Sequence, residues 1–431
     1  MARGKAKKAE LSIEEKLQQA LVPVDEQPYE VPDNWCWVYA PFVFNIEYGK
    51  GLPTKKLCAD GYNVFGANGQ IGFFTEYMFE ESKALMSCRG AYSGTMNLSL
   101  PKSFVTNNSL IIDSRIKNTD VKFVFYLYSA LNKEKLISGS AQPQVTVQSF
   151  ANYPVPLPPL PEQQRIVERI ESLFAKLDEV KEKLEAVVDS YETRKAAILH
   201  KAFTGELTKK WREENGVSEY SWKEGFLRDI VSSVKDKVEP TDEQYAGLPY
   251  IGLEHMSKGV GIIGNGSIED AKSTKNHFKK GDILYGKLRP YLDKHDITDC
   301  EGVCSTDILV YRASCDITAS YVNYLFGTIA FMEYAMSTAT GINLPRTSEK
   351  SVSAFRIKYP TIAEQEEIVR VLSFALDNEV RTIRSVEFCL NNIDLLKKSI
   401  LARAFRGELG TNIPDESSSI ELLKEALMEN D

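Results

Sequence analysis

Apolar residues follow two different patterns along this chain, and the switch between them marks its organisation. From Ile166 onward, Ile170, Leu173, Leu177, Val180, Leu184, Val187 and Tyr191 follow in alternating steps of four and three. That spacing predicts a long amphipathic helix with a coiled-coil seam of nearly four heptads. One column of the seam recurs later as Leu372, Val386, Ile393 and Ile400, interrupted by Glu379. Elsewhere the apolar runs are short and bounded by glycine or polar residues, as at Phe73-Phe74, 109–112, 281–285 and 307–311. These have strand length, whereas Val121–Leu131 and Tyr321–Tyr334 read as short amphipathic helices. The pattern predicts a mixed α/β (α+β) block, a long helix, a second such block and a second long helix.

The halves match in sequence as well as in pattern. Residues 155–207 align without a gap on 357–409 at an offset of 202, pairing Glu162-Gln163 with Glu364-Gln365. Ala202-Phe203 and Gly205-Glu206-Leu207 pair in the same way with Ala404-Phe405 and Gly407-Glu408-Leu409. A gap would rotate a helix and misplace its buried face, so the unbroken match argues for one shared geometry. Upstream, Gly139 and Pro143 in SGSAQPQ match Gly341 and Pro345 in TGINLPR. Further back the offset becomes 198, with 109–112 over 307–310 and Tyr126-Leu127 over Tyr324-Leu325. Tryptophan-bearing openings at 31–38 and 218–225 start the two copies.

The boundaries that follow are a basic, helical extension at 1–30, a first domain at 31–157 and a central helical region at 158–210. A second domain at 211–359, a C-terminal helical region at 360–410 and an acidic tail at 411–431 complete the chain. Pro158-Pro159-Leu160-Pro161 is expected to be an extended lead-in outside the helix, with Glu162 opening it near the positive helix end. In the second copy Thr361 is the expected N-cap, and Glu364 three residues on completes a capping box. Gly205 and Gly407 sit where helices stop. Each helix of about forty residues would reach roughly 60 Å. An apolar stripe of that length needs a cover, and the other copy offers a matching one. Two antiparallel helices related by a pseudo-two-fold axis would place the domains at opposite ends. Two independent helical hairpins, each on its own domain, form the alternative.

Hydrophobic content of 43% and charged content of 26% are those of an ordinary soluble globular protein. No run approaches a membrane span, and the basic N-terminus has no apolar stretch behind it to act as a secretory signal. Seven cysteines without paired spacing suggest reduced thiols in a cytoplasm, and one CxxxC at Cys300 and Cys304 is a poor zinc signature. A net charge of −8 argues against nucleic acid until its distribution is considered. Residues 411–431 hold six acids and one lysine, a net of −5. Residues 271–294 carry Lys272, Lys275, Lys279, Lys280, Lys287, Arg289 and Lys294 against Asp282 and Asp293, a net of +5. Such a stretch suits phosphate contact, although a solvated lysine-rich loop would carry the same charges.

Signatures of catalysis are weak. Gly259-Val260-Gly261-Ile262-Ile263-Gly264 satisfies GxGxxG, but no strand precedes it and no helix follows, so it reads as a glycine-rich hairpin. No GxxxxGK[ST] loop occurs. His200, His255, His277 and His295 are scattered, with His255 and His295 expected in polar loops.

The chain resembles the specificity subunits of type I restriction-modification systems. The residues that carry this are PLPPLPEQQRIVERI at 156–170 with its echo at 360–370, the AFxGEL helix ends, GDILYGKLRPYL at 281–292, GVCSTDILV at 302–310, and SGSAQPQ and TGINLPR before the helices. The resemblance spans almost the whole chain. It implies two target-recognition domains, each reading half of a split, asymmetric site in double-stranded DNA. It implies that the helices act as ruler and dock for two adenine-methyltransferase subunits, joined by restriction subunits. S-adenosylmethionine (AdoMet), ATP and Mg would belong to those partners, and this chain would be non-catalytic and bind no cofactor or metal itself. Pro360-Thr361-Ile362-Ala363 departs from the proline-rich lead-in of the first copy.

The resemblance carries no residue-level base code, so reading residues are chosen by chemistry. Arg and Lys suit phosphate or guanine, and Asn and Gln suit adenine. The candidates are Lys287 and Arg289 with Tyr285 and Tyr291, then Arg346, Lys279, Lys280, Gln142 and Gln144. Candidates for the helix pairing and subunit docking are Ile166, Ile170, Leu173, Leu177, Leu184, Tyr191, Leu372, Val386, Ile393 and Ile400. A self-contained adenine methyltransferase would need a [DNS]PP[YFW] tetrad, and a coiled-coil adaptor would touch no DNA. These are the two rival readings.

Overall fold

A computed structural model describes residues 12–139, 142–218, 220–270 and 273–429. The chain forms two compact units. The first joins the chain up to Lys183 with Cys389 onward, and the second comprises Leu184–Phe388.

The first unit is built on an antiparallel sheet ordered Phe44–Tyr48, Ser109–Ser114, Ala84–Ser87, Met96–Leu98. The second repeats it as Val231–Ser233, Ile308–Ala313, Ile283–Gly286, His295–Ile297. The central strands carry consecutive rather than alternating apolar residues, as at 84–86, 110–112, 283–285 and 308–311, because both faces of each sheet are covered. In the first unit Ala84, Met86, Leu110 and Ile112 join the main core, while Leu85 and Ile111 face a smaller cluster with Phe65 and Val105. In the second, Ile283, Tyr285 and Tyr311 face one core and Leu284, Ile308 and Val310 another. A strand pair closes each unit in front of its long helix: Cys36–Tyr39 with Pro154–Leu157, and Lys223–Phe226 with Arg356–Tyr359.

Within each unit the segments from the two long helices run antiparallel. Asp178 pairs with Lys397 at 2.6 Å in the first unit, and Arg194 with Glu379 at 2.7 Å in the second. Each unit therefore owns part of each helix, rather than a hairpin of its own. Glu379, which interrupts the apolar column, is the acceptor for Arg194.

The helices depart from expectation in four places. Helix Leu160–Asp189 begins inside the proline lead-in. Pro161 is tolerated there because first-turn N–H groups have no intrahelical acceptor. A break at Ser190 separates it from Tyr191–Phe203, while Ile362–Ala404 is unbroken. At the break the Ser190 hydroxyl donates to the Ala186 carbonyl and Arg194 donates to the Val187 carbonyl, side-chain bonds that compete with the helical ladder. Glu364 makes no capping box with Thr361, because its carboxylate is turned inward. Finally, the seam is buried unevenly. Ile166, Ile170, Leu372, Val386 and Ile393 are buried, whereas Leu173, Leu177, Leu184, Val187, Tyr191 and Ile400 are half-buried and Val180 is 47% exposed.

The segment set apart by its charge as an acidic tail is structured. Helix Ser419–Glu429 buries Leu423, Ala426 and Leu427 in the first unit's core, against Ile13 and Leu17 of helix Ile13–Ala20. The glycine-rich stretch is a hairpin of Met256–Ser257 with Gly261–Ile262. Tyr321–Tyr334 is two helices, Ala319–Phe326 and Ile329–Ser337, broken at Gly327. His295 lies in a strand, with its ring nitrogens against Asn323 and Asp293. Cys304 is a core residue and Cys300 is exposed. Among the described residues no helix is long and apolar enough to cross a membrane.

Candidate nucleic-acid interface

In the second unit, strand Ile283–Gly286 runs into a loop whose short helix Pro290–Leu292 is flanked by Arg289 at φ 52° and Asp293 at φ 47°. Left-handed backbone at non-glycine residues costs energy, so the surroundings must impose it. They do so through the backbone. The Arg289 N–H donates to the Pro345 carbonyl at 2.7 Å, and Gly259 N–H to the Asp293 carbonyl at 3.0 Å. Thr347 N–H donates to the Lys287 carbonyl, and Leu288 bridges to Arg346.

This stitching brings Arg346, distant in the sequence, beside Lys287, Arg289 and Tyr291. Asp307 tempers the charge, lying 3.8 Å from the Lys287 ammonium and 3.2 Å from the Arg346 guanidinium. Arg289 and Tyr291 are exposed, and no ion pair involves Arg289 among the described residues. A cationic, aromatic-bearing surface of this kind can contact phosphate and stack on or hydrogen-bond to bases.

One sequence choice needs correction. Tyr285 is 2% exposed and packs against Phe326 and Phe331, so it is a core side chain with no access to DNA. Strand alternation turns it inward, and burial pushes its hydroxyl pKa up. Lys279 and Lys280 are exposed at the other end of strand Ile283–Gly286 from Lys287. The basic stretch is also less cationic outward than its composition: Lys294 donates inward to the Leu253 carbonyl, and Lys275 is buried on Ser273. Lys272 lies outside the described residues.

The first unit repeats the arrangement. Strand Ala84–Ser87 leads to Arg89 and short helix Gly90–Tyr92. Gly90 N–H donates to the Pro143 carbonyl at 2.9 Å, and Arg89 bridges to Gln144. Gly90 and Gly94, at φ 77° and 85°, stand where the second unit strains Arg289 and Asp293. Arg89 and the exposed Tyr92 are thus the counterparts of Leu288 and Tyr291, and the sequence reading missed them. Carrying the repeat alignment through CRGAYSG onto KLRPY would have found them. Gln142 and Gln144 are exposed beside this loop. In the SGSAQPQ motif, Ser140 and Ala141 lie outside the described residues.

The repeated Glu-Gln pair anchors each long helix. The Gln163 side chain donates to the Pro158 carbonyl at 3.1 Å, and Gln365 to Pro360 at 2.9 Å. The altered second lead-in is therefore held just as the first is. Glu162 is fully buried and accepts from Trp35 at 2.7 Å, Thr411 at 3.2 Å and Asn412 at 2.9 Å. Glu364, also buried, accepts from Trp222 at 3.2 Å, Thr208 at 2.7 Å and Arg212 at 2.5 Å. Arg165 makes a two-pronged pair with Glu416, whose hydrogen bond raises the guanidinium pKa further. Beyond the predicted seam, helix Ile362–Ala404 exposes Phe374 in the second unit and Leu395 and Leu396 in the first. A search for buried columns could not single these out.

The class defined by this duplicated fold is matched by the family described as the type I restriction modification DNA specificity domain, which covers residues 43–189 and 219–385. The chain belongs to that family. It is 28% identical over 410 residues to the EcoDI specificity subunit of Escherichia coli, a match covering 88% of this chain and 90% of that one. It is 26% identical over 300 residues to the EcoKI specificity subunit of E. coli K12, covering 65% and 64%. Among solved structures, the HsdS subunit of Thermoanaerobacter tengcongensis superposes with a TM-score of 0.63 at 17% identity, over 89% of this chain and all of that one. A chain from a study of complex assembly and conformational transition of the type I R-M system gives 0.61 at 18% identity, over 88% of this chain and all of the other. At these identities the structural likeness speaks for the fold.

Proposed function

We propose that this chain is the DNA-reading and assembly subunit of a type I restriction-modification complex, with each unit contacting one half of a split, asymmetric site. The observation that carries this reading is the duplicated loop: the same brace presents Arg289, Tyr291 and Arg346 in one unit and Arg89, Tyr92 and Gln144 in the other. Two copies of one reader in one chain suit two half-sites. The cations fix register on phosphates, and the neighbouring side chains face base edges. The long helices supply the dock for two methyltransferase subunits and set the spacing between half-sites, with restriction subunits joining the assembly in the cytoplasm. AdoMet, ATP and Mg act in those partners, and this chain contributes recognition without chemistry.

Exchange of residues 220–345 for the matching block of another family member tests the reading. Methylome sequencing of the host should show one half of the methylated motif replaced and the other retained. Replacement of both halves, or methyl transfer by the purified chain alone, would refute it.

A further inference from the structure

The hairpin that braces the basic loop carries a feature the recognition reading leaves unexplained. In the second unit Thr340 and Arg346 exchange backbone hydrogen bonds of 3.0 and 2.9 Å, closing a tight loop between them. Gly341 turns the chain at φ 96°, where an added Cβ would meet the Leu344 carbonyl oxygen at 3.0 Å. At the tip, Ile342 is 99% exposed and Leu344 53% exposed. Isolated exposed apolar residues are ordinary, and mobile ones can fold back. This pair is separated only by Asn343, closed at its base, and tied through Pro345 to the cationic loop at Arg289.

The first unit contains the same hairpin base. Strands Ile137–Ser138 and Gln144–Val145 pair, so Ser138 faces Gln144 as Thr340 faces Arg346. Gly139 has φ 83°, and an added Cβ would meet the Gln142 carbonyl oxygen at 2.7 Å. In sequence, Gly139 is followed by Ser140-Ala141-Gln142, of which only Gln142 is among the described residues, against Ile342-Asn343-Leu344 after Gly341. The turn glycine and the proline are shared, whereas Ile342-Asn343-Leu344 and Arg346 stand where the first unit has Ser140-Ala141-Gln142 and Gln144.

We infer that Ile342 and Leu344 form the base-reading tip of the second unit and select thymine through its 5-methyl group. Neither side chain can donate or accept a hydrogen bond, so neither can distinguish guanine, cytosine or adenine by their polar edges. Thymine alone presents a methyl group in the major groove. Lys287, Arg289 and Arg346 around the hairpin supply phosphate contacts that hold the tip against the bases, and the exposed Gln142 of the first unit suits hydrogen-bonded readout instead. This inference rests on the proposed recognition function and adds the chemistry of one half-site.

The test uses the chain assembled with its methyltransferase subunits and duplexes bearing the motif found by methylome sequencing. Deoxyuridine replaces thymidine in one half-site at a time, which deletes only the methyl group. In the half that changes on exchange of 220–345, binding should weaken about four-fold for each contacted methyl lost. The double variant Ile342→Ser/Leu344→Gln should bind the thymidine and deoxyuridine duplexes equally in that half, while Ile342→Val should keep the preference. Its response to deoxyuridine in the other half should match the parent's. A double variant that still prefers thymidine, or a second half-site without a T·A pair, would overturn the inference and leave the recognition reading standing. Loss of subunit assembly with the thymidine preference intact would assign the tip to a protein contact and overturn it too. A parent complex without any sequence preference would overturn the recognition reading itself and this inference with it.

Discussion

The two units bury the same carboxylate and neutralise it differently. Glu162 is satisfied by the neutral donors of Trp35, Thr411 and Asn412, whereas Glu364 has Trp222, Thr208 and the guanidinium of Arg212. A buried carboxylate without partners is prohibitively costly, so each helix start needs a full set of donors. The sets are assembled by the same rule. A tryptophan sits immediately before the strand that opens the unit, and the remaining donors come from the segment after the other long helix. Thr208 and Arg212 follow the first helix and serve the second, while Thr411 and Asn412 follow the second and serve the first. The connectivity is the same in both units, but the third donor is an amide in the first and a guanidinium in the second.

The sharpest way to break this comparison is to truncate after Gly410. That removes two donors to Glu162 and, with buried Ala426, the leucines Leu423 and Leu427, each contributing about 1.5–3 kcal/mol. The expected loss is on the order of 5 kcal/mol or more, confined to the first unit. Hydrogen exchange should show protection lost in strands Ala84–Ser87 and Ser109–Ser114 but kept in Ile283–Gly286 and Ile308–Ala313. Equal loss in both would show that the tail does not belong to the first unit.

A finer comparison sets Arg212→Ala against Asn412→Ala. Removing one partner of a buried ion pair strands the other charge and costs about 3–5 kcal/mol. Removing an amide donor costs about 1–3 kcal/mol. Urea unfolding should therefore destabilise the second unit through Arg212→Ala more than the first through Asn412→Ala. Equal effects would mean that Glu364 gains nothing particular from the guanidinium.

The smallest effects are expected at the surface. Arg289→Ala and Arg89→Ala should each lower the salt dependence of DNA binding by about one phosphate contact, a change of about 0.9 in slope, with little change in stability. Asp307→Ala should strengthen non-specific binding modestly, because it frees Lys287 and Arg346. Titration of the assembled complex at several salt concentrations checks both, and an unchanged slope would remove these arginines from the interface.

The heptad spacing from Ile166 and the gap-free repeat made the long helices, their antiparallel pairing and the duplicated α/β blocks legible in sequence. Side-chain period and helix length depend on local geometry that a pattern records directly. The repeat also marked Glu162-Gln163 and Glu364-Gln365, though not their roles, because their partners lie far away: Thr411 is 249 residues from Glu162 and Arg212 is 152 residues from Glu364. Charge counting located the basic stretch but included Lys275 and Lys294, whose side chains turn inward, and strand alternation buried Tyr285 beside its exposed neighbours. By itself the sequence determined the family, the two-fold plan and the periodic elements, since these follow from short-range spacing and self-similarity. Only the tertiary structure decided that the acidic tail completes the first unit and that a hairpin stitches Arg346 to Arg289. Only it decided that Ile342 stands in solvent, since burial and pairing across long separations are set by packing in three dimensions.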